Sequence, residues 1–555
     1  MSFYYDSGFS NMTDNFTTSS IIRQPVLVFL FLLGLGFACY GIVLDGPFIF
    51  DDEHFIQKNE YVHNADWGQI FTTSVTEGAN IEGNFYRPLQ QSIYALLYGL
   101  FGEDPLPFHF LQILIHIGNA FLLWLLLLRL SLPAWGALAG AALFLCHPVQ
   151  TEAVSYISGL AGPLGFLFVL ASLHMLWQLI HSSSRQTIVW LIASLLFFII
   201  ALFSKENMVV LLPIAIFLTL YCWLKNRLVN PNMTLTAIGL FALVAGVYMY
   251  FRFTTFNFEG SEVGLTEQKS LYTNNLWVRV TTFTNVIRDY LRLIFFPQDL
   301  YYEKQYTAYT SLLYARALPG LFLILATVGS IIAMLVWRKF LEVGLGLGWF
   351  MSALAPYSGI VPLNAMYLEH WLYIPLAGLA MPIASLFRWP AGKYAKIALG
   401  GIVIIGLTAF SARTIERNTE WADYEAFYLN ELNYTDRSAR IYNNLAMYYA
   451  DKQNDEKAIN YYKKAIQTHD RYPQPHHNLA RIYAEQGKME QAMAEYRQAL
   501  KLKPDFVYSL RNLYKIFKQR GDKQKAEQIA QLIQQIRKGQ KIRYEDIEPI
   551  LEARP

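Results

Sequence analysis

The sequence predicts an all-α membrane protein, in which a polytopic helical domain is followed by a smaller solenoid of paired helices. The chain has 555 residues, of which 54% are hydrophobic and 16% are charged, and this composition is typical of a polytopic membrane protein. Apolar runs long enough to cross a bilayer recur through the first three quarters of the chain. The last quarter has no such run and repeats with a period of 34 residues.

Eleven apolar runs are predicted to cross the membrane, because each approaches the roughly 17 to 25 residues that a spanning helix needs. They lie near 25–44, 108–130, 133–147, 163–181, 187–203, 207–224, 234–252, 317–337, 340–356, 371–387 and 394–412. No small-residue cleavage site follows the first run, so we expect a retained helix rather than a signal peptide. Cys39, Cys146 and Cys222 all lie within apolar runs, which predicts packing roles rather than disulfides or a zinc site.

Basic residues in the short loops predict the orientation. If residues 1–24 form a cytoplasmic tail, the basic loop residues fall on the cytoplasmic side, as the positive-inside rule requires: Arg129, Arg185, Lys225, Arg227, Arg338, Lys339, Arg388, Lys393 and Lys396. The acidic first loop, 45–107, is then extracytoplasmic. The net charge of +3 sums unlike regions and gives no reason to expect nucleic-acid binding.

The segment 275–297 is apolar enough to suggest a twelfth crossing, but counting it would place the later basic loops on the wrong side. Its polar residues recur at three- and four-residue spacing, as on one face of an amphipathic helix: Thr281, Asn285, Arg288 and Arg292. We therefore expect an interfacial helix whose arginine face meets water or headgroups.

The C-terminal region reads as tetratricopeptide repeats. Asn444-Leu445-Ala446, Asn478-Leu479-Ala480 and Asn512-Leu513-Tyr514 are spaced 34 residues apart, as are Ala458, Ala492 and Ala526, and this is the repeat length of that helical-hairpin family. The membrane domain is expected to span 25–412, with a linker helix at 413–438 and three repeats at 439–555. An odd number of crossings places the repeats outside. Concave repeat surfaces commonly bind protein, while a cap that stabilises the membrane domain stays open as the alternative.

Three carboxylates follow the first crossing directly: Asp51, Asp52 and Glu53 in "GPFIFDDEHF". Charge at a membrane boundary is costly unless it is solvated or functional. Like-charge repulsion raises the pKa of one member of a carboxylate pair, which suits a general base that takes a hydroxyl proton. A solvated loop start is the alternative, and spacing alone does not choose between them.

Other polar side chains emerge at helix ends on the same predicted face and suggest a cavity: His147, Glu152, Lys205, Glu206, Glu369 and His370. Within the membrane, His109, His116 and Asn119 are expected to make helix–helix hydrogen bonds. No HExxH-like metal motif occurs in the sequence. Arg87, in "FYRPL", joins Arg288 and Arg292 as a cation on this side. Guanidinium groups bind phosphate well, although membrane-flanking arginines also bind headgroups without selectivity.

At this point the motifs resemble a known family. "FDDEHF" at 50–55 is similar to the Phe-Asp-Glu-x-His-Phe motif of protein O-mannosyltransferases. The chain as a whole resembles the transmembrane and tetratricopeptide repeat-containing O-mannosyltransferases and their bacterial relatives, through ordered segments that end in the repeats: "FDDEHFIQKN", "FYRPL", "FHFLQILIHIGNAFLLWLL", "FLCHPVQTEAVSYISG", "FSKEN", "YLRLIFFPQDLYYEKQY" and "YLEHWLYIPLAG".

The resemblance implies a GT-C glycosyltransferase fold and transfer of a sugar from a polyprenyl-phosphate donor to a protein hydroxyl, by inverting direct displacement on the extracytoplasmic side. It implies Asp51 as the general base, with Asp52 assisting. The expected donor-phosphate and substrate residues are Arg87, Arg288, Arg292, Lys205, Tyr86, His147, Glu152, Glu369 and His370. A divalent cation such as Mg²⁺ or Mn²⁺, held by Asp51, Asp52 and Glu152, stays open.

The sequence departs from the animal family at two places. Gly159-Leu160-Ala161-Gly162 stands where that family has Gly-Arg-Ala-Asp, and His370 stands where it has Arg. We expect a bacterial inner-membrane enzyme whose active site and repeats face the periplasm, and whose partners are membrane lipids, the lipid-linked donor and a protein acceptor held by the repeats. A non-catalytic repeat scaffold, or transfer to a lipid or glycan acceptor, are the alternatives.

Overall fold

The computed structural model describes residues 18–81, 83–183, 185–256, 267–304, 306–312, 317–361, 363, 365–388, 392–469 and 471–552. The predicted cytoplasmic tail lies outside these residues up to position 17. The chain divides into two compact units, Met1–Asp423 and Tyr424–Pro555.

Helices of nine residues or more are numbered in chain order. In the first unit they are α1 (Thr18–Tyr40), α2 (Pro88–Phe101), α3 (Leu106–Arg129), α4 (Ala134–Cys146), α5 (Ala161–His181), α6 (Thr187–Ser204), α7 (Leu211–Leu224), α8 (Pro231–Thr254), α9 (Leu276–Phe295), α10 (Ala317–Trp337), α11 (Leu341–Leu354), α12 (Tyr373–Leu386) and α13 (Lys393–Trp421).

Eight segments of the described chain are long and apolar enough to cross a membrane: Pro25–Asp45, Leu106–Arg129, Ile157–His181, Thr187–Ser204, Glu206–Leu224, Pro231–Thr254, Ala317–Trp337 and Lys393–Trp421. The three other predicted crossings form shorter helices, α4 of 13 residues and α11 and α12 of 14 residues each. Turns of 3₁₀ helix extend α11 at its end (Ala355–Tyr357) and α12 at its start (Glu369–Leu372). Together the two sets account for the eleven predicted runs.

Small residues bring the short helices α4, α11 and α12 into close contact. A Cβ atom added at Gly136 or Gly140 would lie 2.5 or 2.8 Å from a carbonyl oxygen of α12. At Gly346 of α11 it would lie 2.5 Å from the Gly378 carbonyl oxygen. Close backbone approach at small residues is the usual basis of helix packing in membranes. These helices therefore form a tightly packed group from which the site segments emerge.

Helix α9 occupies the segment predicted to be interfacial, and only part of its polar face is exposed. Thr281 and Asn285 are fully buried. The Thr281 hydroxyl donates to the Tyr309 carbonyl, and Asn285 Nδ2 donates to the Thr281 carbonyl at 3.2 Å. Of these four polar residues, Arg288 and Arg292 are the ones that reach solvent. Segment 306–312 and α10 cover the first half of the helix, where backbone carbonyls accept hydrogen bonds from Thr281 and from Asn285 Nδ2.

Helix α13 runs unbroken past position 412, where we expected the membrane domain to end and a linker helix to begin. The last turns of α13 make buried hydrogen bonds to earlier segments of the first unit. Thr414 Oγ1 donates to the Cys146 carbonyl at 2.7 Å, and Asn418 Nδ2 donates to the Cys39 carbonyl at 2.8 Å. Because these hydrogen bonds are buried, the first unit extends to the end of α13.

The second unit consists of α14 (Tyr424–Tyr434), α15 (Ala439–Asp451), α16 (Asp455–Thr468), α17 (Pro473–Glu485), α18 (Met489–Leu502), α19 (Val507–Gln519), α20 (Lys523–Arg537) and α21 (Tyr544–Glu552). The pairs α15/α16, α17/α18 and α19/α20 form the three predicted repeats. Gly487 and Gly521 have φ of 74° and 80° just after α17 and α19, a left-handed helix end that favours glycine. The repeated alanines Ala458, Ala492 and Ala526 are buried between paired helices.

Candidate functional site

The chain bends sharply just before Asp51. After α1 it passes through a 3₁₀ turn, Gly41–Asp45, and soon enters a short π-helical turn, Glu53–Gln57. Phe50 lies between them with φ of 54°, a left-handed conformation that is rare for a bulky residue and is often found at functional sites. Its ring stacks on Tyr302, with ring centroids 4.7 Å apart. The bend sends Asp51 and Asp52 into different surroundings.

Asp52 is buried and fully engaged. One carboxylate oxygen accepts from the Ile49 N–H at 2.9 Å, and the other accepts from both the backbone N–H (2.7 Å) and the hydroxyl of Ser158. Burial raises the pKa of Asp52 to about 7, although these hydrogen bonds oppose the rise. Since both oxygens already have partners, Asp52 is suited to hold the bend.

Asp51 is held by its backbone and leaves its carboxylate available. Its N–H donates to the Tyr156 hydroxyl at 3.0 Å. Within the described part of the chain, no donor or cation contacts the Asp51 carboxylate, which is only half buried. Glu53 pairs with Lys58 at the surface. Of the three neighbouring carboxylates, Asp51 alone combines partial burial with an unoccupied carboxylate.

The segment after α4 connects these aspartates to the rest of the site. Short turns, Pro148–Gln150, Thr151–Val154 and Ile157–Leu160, carry Tyr156 and Ser158. His147 begins the segment, and its Nε2 donates to the Ile294 carbonyl of α9 at 2.9 Å while Nδ1 accepts from the Val149 N–H at 3.3 Å. Burial lowers the pKa of His147 to about 4. With both ring nitrogens engaged, neutral His147 anchors α9 to this segment.

The same segment carries Glu152, which binds His370. Glu152 Oε1 lies 2.6 Å from His370 Nδ1, and Oε2 accepts from the His370 N–H at 3.0 Å. Burial opposes ionisation of Glu152, but the interactions with His370 outweigh it and lower its pKa. Burial, reinforced by the cations Lys205 and Arg87, lowers the pKa of His370. A neutral imidazole therefore donates Nδ1–H to Glu152 and presents Nε2 as a hydrogen-bond acceptor.

Glu369 forms a second buried pair, with a lysine that the sequence analysis did not single out. Its Oε1 accepts from Lys304 Nζ at 2.6 Å and from the Tyr301 N–H at 2.9 Å. Lys304 Nζ also lies 3.4 Å from the centre of the Tyr301 ring. Burial raises the pKa of Glu369 and lowers that of Lys304. The pair ties the segment after α9 to the start of α12.

Arg87 and Lys205 are cations without an anion. Arg87 occupies the position just before α2, with its guanidinium 4.5 Å from the Phe85 ring centre, and Lys205 lies at the break between α6 and the turn Glu206–Val210. Among the residues that the structure describes, no carboxylate lies within ion-pair distance of either group. Burial lowers the pKa of Lys205 to about 7, and repulsion from Arg87 adds to the effect. An anionic ligand would offset both the burial of the Lys205 charge and its repulsion from Arg87.

The other predicted donor-binding residues have different surroundings. Tyr86 is buried, stacks on Phe256 with ring centroids 4.2 Å apart, and donates its hydroxyl hydrogen to the Phe71 carbonyl at 2.9 Å. Arg288 pairs with its neighbour Asp289 at 2.5 Å, and Arg292 pairs with Asp299. The structure thus gives each α9 arginine its own carboxylate.

Through these contacts the structure joins most of the predicted site residues. Gln90, one turn into α2 from Arg87, donates to the Ser158 carbonyl at 2.9 Å, and so connects the start of α2 to the residue that holds Asp52. Tyr156, Ser158 and Lys304 were given no role from the sequence. The only signal for them was that they lie in the family-like segments "FLCHPVQTEAVSYISG" and "YLRLIFFPQDLYYEKQY".

The proposed metal ligands do not fit a shared ion. Both oxygens of Asp52 and both oxygens of Glu152 accept hydrogen bonds within the protein. In the described ranges, no group of three or more His, Cys, Asp or Glu side chains is arranged to hold a metal.

Comparisons with known proteins agree with the motifs. The family model "Tetratricopeptide repeat" matches residues 437–505. The chain is 24% identical to protein O-mannosyl-transferase F38B6.6 of Caenorhabditis elegans over 80% of its own length and 63% of that protein. It is 23% identical to TMTC4 of Homo sapiens (81% and 67% covered) and 24% identical to human TMTC3 (78% and 50% covered). The chain thus spans about half to two thirds of the length of these curated relatives.

A solved structure is also similar: ArnT from Cupriavidus metallidurans bound to undecaprenyl phosphate, with a TM-score of 0.38 and 13% identity over 81% of this chain and 76% of that one. The sequence matches confirm the family resemblance: over about four fifths of its length the chain is similar to proteins named protein O-mannosyl-transferases, and its C-terminal region matches the tetratricopeptide repeat.

Proposed function

We propose that the chain is a membrane glycosyltransferase that moves a sugar from a polyprenyl-phosphate donor to a hydroxyl group of a protein on the extracytoplasmic side. The observation that carries the proposal is the unoccupied Asp51 carboxylate beside a fully engaged Asp52, in a site that also has two unpaired cations. The printed names of the relatives, protein O-mannosyl-transferases, support this reaction class. They also make mannose the first sugar to test.

In this mechanism Asp51 is the general base. Its carboxylate takes the proton of the acceptor hydroxyl as that oxygen attacks the anomeric carbon of the sugar. The bond between this carbon and the phosphate oxygen breaks, so the anomeric configuration inverts and polyprenyl phosphate leaves. Asp52 keeps Asp51 in place through its hydrogen bonds to Ile49 and Ser158.

Arg87 and Lys205 would stabilise the departing phosphate, whose negative charge grows as the bond breaks. Preorganised cations aimed at developing charge commonly contribute a large part of catalysis. His370 Nε2 would accept a hydrogen bond from a sugar hydroxyl, since Glu152 fixes the orientation of the ring. The pair of Glu369 and Lys304 would support this wall of the pocket.

The base assignment is tested by comparing Asp51→Asn with Glu53→Gln. The probes are radiolabelled mannosyl-phosphopolyprenol and extracytoplasmic proteins from the organism that encodes the chain. We expect Asp51→Asn to lose about 100- to 10,000-fold in turnover, the usual contribution of general base catalysis, with an unchanged melting temperature. Glu53→Gln, which alters only the surface pair with Lys58, should retain activity. Near-normal turnover of Asp51→Asn would refute the assignment.

The donor site is tested by comparing Arg87→Ala and Lys205→Ala with Arg292→Ala. A charge-assisted hydrogen bond contributes about 1.5–3 kcal/mol, which corresponds to roughly 10- to 150-fold in affinity. We expect this loss in binding of unlabelled mannosyl-phosphopolyprenol for the first two variants. Arg292 already pairs with Asp299, so Arg292→Ala should leave the affinity for the donor nearly unchanged. If Arg292→Ala weakened binding as much as the other two variants, the sequence-based assignment of the α9 arginines to the phosphate would be restored.

The periplasmic orientation, in a bacterial inner membrane, is tested by single cysteines at Leu271 and Thr310. These exposed positions flank α9, and Cys39, Cys146 and Cys222 are buried. If α9 lies in the interface, a membrane-impermeant maleimide should label both new cysteines in intact spheroplasts. Labelling of only one would make α9 a true crossing and move the repeats to the cytoplasmic side.

A further inference from the structure

A groove between α17 and α19 of the repeat unit carries positive charge without a counter-ion. Its cavity of about 340 Å³ is lined by His477, Tyr508, Arg511, Asn512, Tyr514 and Lys515. Apart from His477 and Asn512, these residues make no hydrogen bond or ion pair with other described residues, and Tyr514 has Lys518 Nζ 5.8 Å from its ring centre. The groove is therefore available to a ligand.

Two cations stand side by side on its α19 wall. Arg511 and Lys515 are four residues apart, so their side chains project from the same helix face, and like charges at this spacing repel. Both side chains are exposed, and no carboxylate in the described part of the second unit lies within ion-pair distance of either. An anion bound between them would remove this repulsion.

The surrounding charge is also positive. Between residues 505 and 543 the chain has ten Lys and Arg residues but only three Asp and Glu residues. The acidic helix α21 does not supply the missing anion, because it packs against α18 and α20, and neither its Glu545 nor its Glu548 pairs with the groove. The field at this end of the solenoid thus favours a negatively charged partner.

The remaining lining groups suit a peptide. Asn512 Nδ2 donates to the Tyr496 hydroxyl at 3.1 Å, which leaves its Oδ1 for a backbone N–H. His477 Nδ1 bonds to the Ser509 hydroxyl at 2.9 Å, and burial lowers the pKa of His477 to about 4, so the ring is neutral. Tyr508 is 54% exposed at the rim and offers an aromatic surface to an apolar side chain.

We propose that the groove between α17 and α19 binds an extended acidic segment of a partner protein, with two carboxylates on Arg511 and Lys515. Side chains at i and i+4 of a helix are about 5–6 Å apart, and alternate side chains of an extended chain are about 6.5–7 Å apart. The preferred segment therefore has Asp or Glu at alternate positions. Peptide binding in the groove does not depend on glycosyl transfer, so failure of the binding proposal would leave the proposed transferase function standing, and the reverse also holds.

The test uses the full-length protein in phosphatidylcholine nanodiscs and fluorescence anisotropy of two labelled decapeptides. One alternates Asp and Thr, which favours an extended chain, and the other, Asp-Asp-Thr-Thr-Asp-Asp-Thr-Thr-Asp-Thr, has the same composition but no two Asp at alternate positions. We expect the alternating peptide to bind at least fivefold tighter. Arg511→Ala/Lys515→Ala should weaken it at least tenfold, whereas Lys463→Ala/Lys501→Ala, which removes two exposed lysines from α16 and α18, should change it less than twofold.

A charge-reversed variant makes the test independent of any general loss of structure. Arg511→Glu/Lys515→Glu should lose the Asp-Thr peptide and bind a Lys-Thr peptide instead, with an unchanged melting temperature. Equal losses in the two double-alanine variants, equal binding of both Asp peptides, or no binding to the unmodified protein would overturn the proposal. The proposal would also be overturned if binding of labelled dihexanoyl phosphatidylglycerol depended on Arg511 and Lys515 but binding of the peptide did not. The groove would then be a lipid site.

Discussion

The buried carboxylate Asp52 predicts a stability that depends on pH. Its pKa is raised from the ordinary 3.8 to about 7 in the folded protein, so between these values the native state binds more protons than the unfolded state. Stability therefore falls as pH rises through this window. About three pKa units correspond to roughly 4 kcal/mol. The hydrogen bonds from Ser158 limit this loss, because they stabilise the ionised carboxylate.

Replacing Ser158 with alanine removes one of the three donors and leaves the two backbone N–H groups. At pH 5.5 the lost hydrogen bond has a mainly neutral partner and contributes about 1 kcal/mol. At pH 8.5 the partner is charged, and the contribution is about 1.5–3 kcal/mol. The destabilisation by Ser158→Ala should therefore grow with pH, and the pKa of Asp52 should rise further.

The measurement is thermal unfolding of the detergent-solubilised protein at pH 5.5, 7 and 8.5, followed by tryptophan fluorescence. Ser155→Ala is the matched control, because it removes a buried hydroxyl three residues away whose partner, Asn418 Oδ1 at 2.6 Å, does not titrate. Its effect on the melting temperature should be the same at each pH. An equal effect of Ser158→Ala at pH 5.5 and 8.5, or a parallel trend in the control, would refute the reasoning about Asp52.

Two further predictions concern packing and buried charge. Lys304→Met leaves the Glu369 carboxylate buried without its cation, so we expect the free energy of unfolding to fall by about 3–5 kcal/mol, measured as a lower melting temperature. Adding Glu369→Gln should recover part of this stability, and no recovery would contradict the ion-pair account. Gly320→Ala places a Cβ atom 1.5 Å from a carbonyl oxygen of α9 and should lower the melting temperature by several degrees. The control Gly329→Ala, whose Cβ atom would have no neighbour within 4 Å, should leave the melting temperature unchanged. Equal effects of the two variants would argue against the close contact of α9 and α10.

The fold was largely predictable because its signals are local. A run of apolar residues, or a 34-residue period, is visible without knowledge of any distant contact. The polar face of α9 shows the limit of prediction from local signals. Its spacing correctly predicted an amphipathic helix, but Thr281 and Asn285 are buried by segments that come later in the chain. Periodicity identifies a face but not what covers it.

The site was predictable only in part, for the same reason. A motif selected Asp51, but the groups that distinguish it from Asp52 come from Tyr156 and Ser158, which are 105 and 106 residues away in sequence. Adjacent aspartates look equivalent in a sequence. Only tertiary contacts bury one with three donors and leave the other with an unoccupied carboxylate.

The departures from the animal family acquire a meaning from the charges in the site. Neutral His370, bonded to Glu152, stands where those proteins have Arg, so the unpaired cations near it are Arg87 and Lys205. In the proposed reaction the donor phosphodiester carries one negative charge, and the polyprenyl phosphate that leaves carries up to two. Two cations match the charge that develops during the reaction better than the charge of the bound donor. They would thus favour the transition state over the donor complex, as catalysis requires.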